Sequence, residues 1–197
     1  MLLYIHKLKF MGVKIMNYNF KCDYYRMTGE KYSFSIKSLI NILFKHNLKL
    51  MFLIRLAAHK NNLFSKFLRC YIYLFKRKYG IDMHPDTQIG EGLVLGHPYN
   101  ITINPEAIIG KNVNLTKGVT IGREPRGRRI GSPTIGNCVY IGVNSTVVGN
   151  IKVGNNVLIA PNSFVNIDIP DNSIVLGNPC KIIANELATE NYVFFLV

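Results

Sequence analysis

A chain of 197 residues that is 48% hydrophobic and 18% charged, with 16 Gly, 8 Pro and 4 Cys, is an ordered globular protein too short for two large domains. Disordered, collagen-like and disulfide-scaffold classes are excluded. The net charge of +13 is uneven: residues 1 to 80 carry 16 Lys and Arg against 2 Asp and Glu, and residues 81 to 197 carry 8 against 9.

The basicity thus belongs to the N-terminal segment alone, and no nucleic-acid partner is expected. Cys22, Cys70, Cys138 and Cys180 are far apart, with no Cys-x-x-Cys and no His at ligand spacing. Free thiols in a reducing cytoplasm and no metal follow. Residues 1–32 read as a weakly ordered extension with Met11 and Met16 as alternative starts. Its apolar opening is interrupted by Lys7, Lys9 and Lys14 before a signal core or a spanning helix can form.

Residues 33–80 place apolar side chains at helical spacing, as in Leu39, Ile42, Leu43 and then Leu50, Leu53, Ile54, with Lys and Arg among them. Two or three basic amphipathic helices are predicted, with breaks at Asn47 and at Asn61-Asn62 and a stop at Gly80. Such helices fit either a solvated face or peripheral contact with anionic lipid.

From Met83 the character changes to a period of six. The hexads begin at Met83, Ile89 and Leu95, then at Ile103, Ile109, Leu115 and Ile121, and after a gap at Ile135, Ile141, Val147, Val153, Ile159 and Val165. All 13 first positions are apolar; at even odds per position that has a chance of roughly 1 in 8,000. Gly fills the second position at Gly90, Gly96, Gly110, Gly122, Gly136, Gly142 and Gly154, where a chain turning every six residues needs no side chain. Three hexads form one triangular coil with first positions pointing inward, so residues 81–183 are predicted to be a parallel β-helix of about four coils, roughly 20 Å tall at ~4.8 Å per rung. Residues 184–197 form a tail. The Gly90-x-Gly92 pair lacks a third glycine and a following helix and belongs to the repeat, not to a dinucleotide site.

The repeat slips twice, by two residues at Ile101-Thr102 just after His97, and by eight within the loop 123–134, where Arg123, Arg126, Arg128 and Arg129 cluster. Insertions in a solenoid map to loops on one face, and these two mark the candidate site. The arginines suit a phosphate or an anionic acceptor, or are a solvated loop. Asp82 precedes His97 by 15 residues, close to one 18-residue coil, so the two could share an edge on adjacent rungs. An imidazole there suits a general base taking the proton of an alcohol.

From Ser33 to Ile183 the sequence resembles the hexapeptide-repeat acyltransferases of the serine acetyltransferase type. The resemblance rests on Ile81-Asp82-Met83-His84-Pro85, Ile89-Gly90-Glu91-Gly92 and Leu95-Gly96-His97. It implies a mainly β fold, a left-handed parallel β-helix of hexapeptide repeats with an N-terminal α-helical segment, an exception to the usual right-handed crossover, assembled as a homotrimer. It further implies an O-acetyltransferase using acetyl-CoA, with His97 matching the general base and Asp82 the carboxylate that orients it. Val143, Asn144 and Pro161 match positions that line the CoA groove. Lys181, in the stretch Gly177-Asn178-Pro179-Cys180-Lys181, could reach a CoA phosphate, and His84 is a substrate-side candidate or a polar cap on the first coil.

Departures from the family concern the acceptor. The family's Asp before the catalytic His is Gly96 here, its loop Arg-His pair corresponds to Gly131-Ser132, and its helical N-terminal domain is reduced to about half. Gly96-His97-Pro98 is shared with polysaccharide O-acetyltransferases, so a sugar or glycan hydroxyl is the expected acceptor. The alternatives are serine O-acetylation, with Asp23 supplying the missing carboxylate, and a non-catalytic hexapeptide scaffold. Covalent transfer through Cys138 lacks any neighbour in sequence to activate the thiol.

Overall fold

The computed structural model describes residues 18–58 and 62–197. Four helices come first: α1 (Tyr18–Thr28), α2 (Ile36–Phe44), α3 (His46–Ala57) and α4 (Leu63–Arg77). Ser35 and Asn62 cap two of them, accepting from the Ser38 amide at 3.2 Å and the Ser65 amide at 2.8 Å. The break between α2 and α3 falls at extended Lys45 rather than at Asn47, which lies inside α3. Asn61 of the second expected break lies outside the described residues. Gly80, at φ +64, ends the helical segment as expected, with the Ile81 amide returning to the Lys76 carbonyl at 3.1 Å.

Helix α1 corrects the expectation of a weakly ordered stretch at 1–32; residues 1–17 of it lie outside the described residues. Phe20 and Tyr24 of α1 are in the core. Asp23 is fully buried and receives both Nε and Nη2 of Arg55 from α3, at 2.8 and 3.1 Å, and the Leu93 amide at 2.9 Å. The same guanidinium donates to the carbonyls of Ile89 and Gly90 at 2.7 and 2.6 Å. One buried pair thus ties α1, α3 and the first coil together. Burial pushes the Asp23 carboxyl pKa up, and the Arg55 charge pulls against it.

The remainder is a parallel β-solenoid with three faces. The first stacks β1 (Asp82–Met83), β4 (Thr102–Ile103), β7 (Thr120–Gly122), β10 (Thr146–Val148) and β13 (Phe164–Val165). The second stacks β2 (Gln88–Ile89), β5 (Ile108–Ile109), β8 (Thr134–Ile135) and β11 (Lys152–Val153). The third stacks β3 (Val94–Gly96), β6 (Asn114–Thr116), β9 (Tyr140–Ile141), β12 (Val157–Ile159) and β14 (Ser173–Leu176), closed by antiparallel β15 (Lys181–Ala184).

The hexad register survives intact: Met83, Ile103, Ile121, Val147 and Val165 pair up the first face, Ile89, Ile109, Ile135 and Val153 the second, and Leu95, Leu115, Ile141 and Ile159 the third. All but Ile89 are buried, and Ile89 packs against the core. Gly90, Gly110, Gly136 and Gly154 stack at the corner between the second and third faces, where a Cβ on Gly110 would lie 2.5 Å from Gly136 O. The helices continue this core below the first coil, with Leu48, Met51, Met83 and Leu93 in one cluster.

The tail beyond Ala184 runs back along the solenoid: Asn114 Nδ2 donates to Tyr192 O at 2.8 Å, Arg26 Nε to Phe194 O at 3.0 Å and Asn112 Nδ2 to Val197 O at 2.9 Å. The four cysteines are unpaired. No helix among the described residues is long and apolar enough to cross a membrane.

Candidate active site

The corner between the third and first faces carries His97. Between paired Gly96 and Thr116, and between Thr102 and Thr120, the next coil needs three residues, 117–119, where this one uses five, 97–101. Ile101 is fully buried in the corner position that Val119 fills above, and Thr102 opens β4. The two extra residues therefore belong to the turn at His97 itself, not at Ile101-Thr102. The turn is tight: His97 has φ +48 and its carbonyl accepts from the Tyr99 amide at 2.8 Å. The His97 side chain is exposed and makes no hydrogen bond among the described residues.

A ladder of backbone bonds runs up this corner. The Asn100 amide donates to Tyr79 O at 3.0 Å, Gly118 to Tyr99 O at 2.9 Å, Asn144 to Lys117 O at 3.0 Å and Asn162 to Val143 O at 2.9 Å. Asn100, Gly118, Asn144 and Asn162 are all left-handed, residue types that tolerate positive φ. Val143, Asn144 and Pro161 thus share one edge with His97, two and three rungs above it. Gly177 occupies the rung above Pro161, its carbonyl accepting from the Phe164 amide at 3.1 Å, and exposed Lys181 follows on β15.

Asp82 lies one rung below Thr102, its amide donating to Ile101 O at 2.7 Å, so it is at the same corner as His97. No hydrogen bond joins the two side chains. Lys76 of α4 donates to Asp82 Oδ1 at 2.8 Å instead, with the Asp82 side chain 75% exposed. Oδ2 accepts nothing among the described residues.

The other candidates sit elsewhere. His84 follows β1 at the opposite corner, between the first and second faces; its Nδ1 accepts from the Asp86 amide at 3.2 Å, and it lines a small cavity of about 180 Å³ with Arg69, Tyr73 and Lys76. The loop 123–134 leaves the same opposite corner and is pinned by the reciprocal amide–carbonyl pair of Glu124 and Gly131, at 2.9 and 3.1 Å. Arg123 reaches Glu106 at 3.4 Å, and Arg126, Arg128 and Arg129 are exposed. Within one chain none of them is at His97. Ser132 is also occupied, donating to Asn104 Oδ1 at 2.9 Å. Asp23, expected as a substitute carboxylate for an amino-acid acceptor, cannot serve: it is sealed against Arg55. Position 96 has room, since a Cβ there meets nothing closer than Thr116 Cγ2 at 3.7 Å.

An aromatic group at the foot of the corner escaped the sequence reading. His46 stacks on Tyr79 with ring centroids 4.6 Å apart, and Tyr99 leans on both at 5.4 and 5.7 Å. His46 Nε2 is buried without a partner among the described residues, and burial pushes this imidazole pKa down. Residues 46, 79 and 99 follow no repeat, so only the docking of α3 beside the bulged turn brings them together. Among the described residues no group of three or more His, Cys, Asp and Glu could hold a metal ion.

Residues 132–166 match the family described as bacterial transferase hexapeptide (six repeats). Over 105 residues the chain is 39% identical to serine acetyltransferase 2 of Arabidopsis thaliana, covering 53% of this chain and 32% of that one. Over 107 residues it is 37% identical to the serine acetyltransferase of Staphylococcus aureus strain Mu50, covering 54% and 50%. The chain thus spans a third to a half of the length of these curated relatives. The crystal structure of Neisseria gonorrhoeae serine acetyltransferase in complex with serine superposes with a TM-score of 0.67 at 27% identity, covering 84% of this chain and 68% of that one. In repeat, register and fold, this chain is similar to hexapeptide-repeat proteins of the serine acetyltransferase type.

Proposed function

We propose that this protein is an acetyl-CoA-dependent O-acetyltransferase whose acceptor is serine. The carrying observation is the shared corner: His97 stands in a turn widened by two residues, and the donor-side positions Val143, Asn144, Pro161 and Lys181 rise above it on one edge. An extended thioester lying along that edge would bring its carbonyl down to His97.

In the reaction the acceptor hydroxyl oxygen attacks the thioester carbonyl carbon while His97 takes the hydroxyl proton. The carbon–sulfur bond breaks, and the proton passes from the imidazolium to the departing thiolate. Proton removal by a placed base is worth typically 10²–10⁴-fold. Asp82 offers its unbonded Oδ2 to the second ring nitrogen, fixing the tautomer and favouring the imidazolium. No further co-reactant is needed.

The same reading extends to assembly as a trimer. The loop with Arg126, Arg128 and Arg129 and the His97 turn occupy opposite edges of the first face, so a neighbouring copy could present its loop to this copy's His97. Those arginines would then meet the CoA phosphates or an acceptor carboxylate.

The names of the relatives turn the acceptor toward serine and away from the glycan hydroxyl that the sequence alone favours. A sugar hydroxyl remains the second reading because Gly96 carries no carboxylate for an ammonium group and Asp23 is locked in the core. Thiol release from acetyl-CoA, followed with L-serine and separately with nucleotide sugars, decides between them. Serine-dependent release, raised about tenfold in kcat/KM by Gly96→Asp through a charged hydrogen bond to the ammonium, is the expected result. Release with sugars alone would replace serine by the second reading.

A further inference from the structure

Helices α2 and α4 are turned inside out relative to a solvated helix. On α2, Ile36, Leu39, Ile40, Leu43 and Phe44 form a continuous stripe at helical spacing, and all five are exposed, Phe44 to 81%. The buried face of the same helix holds Ser38 and Ile42. Helix α4 repeats the pattern: Leu63, Phe67, Tyr71 and Leu74 are exposed, Phe67 to 80%, whereas Ser65 and Ile72 are buried. Scattered exposed apolar residues need no explanation, but a stripe along the length of each helix does.

The charge around these stripes selects what covers them. From Lys31 to Ile81 the sequence contains eleven Lys and Arg and no Asp or Glu. Arg55, Arg69 and Lys76 are paired with carboxylates from α1 and the first coil, and Lys37 with Glu30. Lys31, Lys45, Lys66, Arg77 and Lys78 have no carboxylate partner among the described residues. A second copy of this face would bring like charge against like charge. A nucleic acid would satisfy the cations but leave the aliphatic and phenyl groups in water. A surface that offers negative headgroups above an apolar layer satisfies both.

We infer that α2 and α4 form a membrane-docking face that inserts Phe44, Phe67 and their neighbours into the interface of an anionic lipid leaflet, with Lys45, Lys66 and Lys78 at headgroup level. The protein would sit on the surface without spanning it. The inference is independent of the proposed reaction, because binding is read without turnover.

The test is flotation of the full chain with phosphatidylcholine vesicles, with and without phosphatidylglycerol, at low and high salt. The expected result is co-flotation with the anionic vesicles, weakened by salt and much reduced on neutral ones. Phe44→Ser with Phe67→Ser lowers partitioning at least about tenfold by removing apolar insertion. Lys45→Gln and Lys66→Gln each lower it about fivefold on anionic vesicles and leave neutral vesicles unaffected. Both Phe positions are exposed, so the variants keep the fold, checked by an unchanged melting curve. Absence of binding to anionic vesicles, or binding indifferent to these substitutions, overturns the inference. So does a fall in sedimenting mass of the Phe44→Ser, Phe67→Ser protein without vesicle binding, which marks the face as a contact between copies.

Discussion

Lys76 Nζ lies 2.8 Å from Asp82 Oδ1, so the carboxylate assigned to orient His97 is shared with a cation from the last helix before the solenoid. That ion pair fixes where Asp82 points while leaving its second oxygen open. On the proposed reading Asp82 acts through His97 and touches neither substrate. Asp82→Asn therefore lowers kcat by about 10²–10⁴-fold, because the imidazole loses the partner that fixes its tautomer, and leaves the KM for acetyl-CoA unchanged. Steady-state kinetics read both; an equal loss in binding would assign Asp82 to the donor groove instead.

The Asp23–Arg55 pair predicts a stability effect far from the chemistry. Truncating Asp23 to Ala leaves a buried guanidinium without its countercharge and frees the Leu93 amide, a loss of about 3–5 kcal/mol. Urea unfolding of Asp23→Ala should show a lowered midpoint, and the double variant with Arg55→Met should recover part of it. A midpoint equal to that of the parent would mean that the pair is not what joins α1 to the first coil.

Gly110 stacks so tightly on Gly136 that a methyl group would meet the backbone of the coil above. Gly110→Ala is expected to cost about 3 kcal/mol by overpacking. Gly127→Ala is a control for the loop: its Cβ meets nothing within 4 Å, so only its φ of +81 opposes the change and the loss is about 1 kcal/mol. Thermal melts of both variants check the order.

His46 adds a pH dependence. Burial holds its imidazole below the ordinary value of about 6.5. The unfolded chain therefore takes up this proton at higher pH than the folded one. Its contribution to stability is present above about pH 6.5 and is lost as the pH falls through the folded value. The melting temperature should drop between about pH 7 and pH 5, and His46→Phe should reduce that drop. An identical drop in both proteins would place the titration elsewhere.

The solenoid is legible because its signal is local: from Met83 to Val165 apolar residues recur every six positions apart from two slips, and each first position is enough to predict a face and a register. Helix α1 is not, because its buried face includes the charged Asp23 and Arg26, which become core residues only when Arg55 and the carbonyls of Gly92 and Phe194 meet them. The two-residue slip is visible in the spacing, but its position is not. A gap can be placed anywhere between two hexads, and only the pairing of Thr102 with Asp82 and Thr120 moves it to the His97 turn. Arg126, Arg128 and Arg129 interrupt the repeat as the His97 turn does, yet they leave the opposite edge of the first face, a relationship between corners that spacing alone does not encode.

On the proposed reading His97 is the base that removes the acceptor proton. Its most direct test is thiol release from acetyl-CoA in the presence of L-serine, measured for the parent protein and for His97→Ala alongside CoA binding to each. The expected result is serine-dependent release by the parent, a loss of at least about 10²-fold in kcat for His97→Ala, and unchanged CoA binding. Release by His97→Ala at the parent rate would contradict that reading.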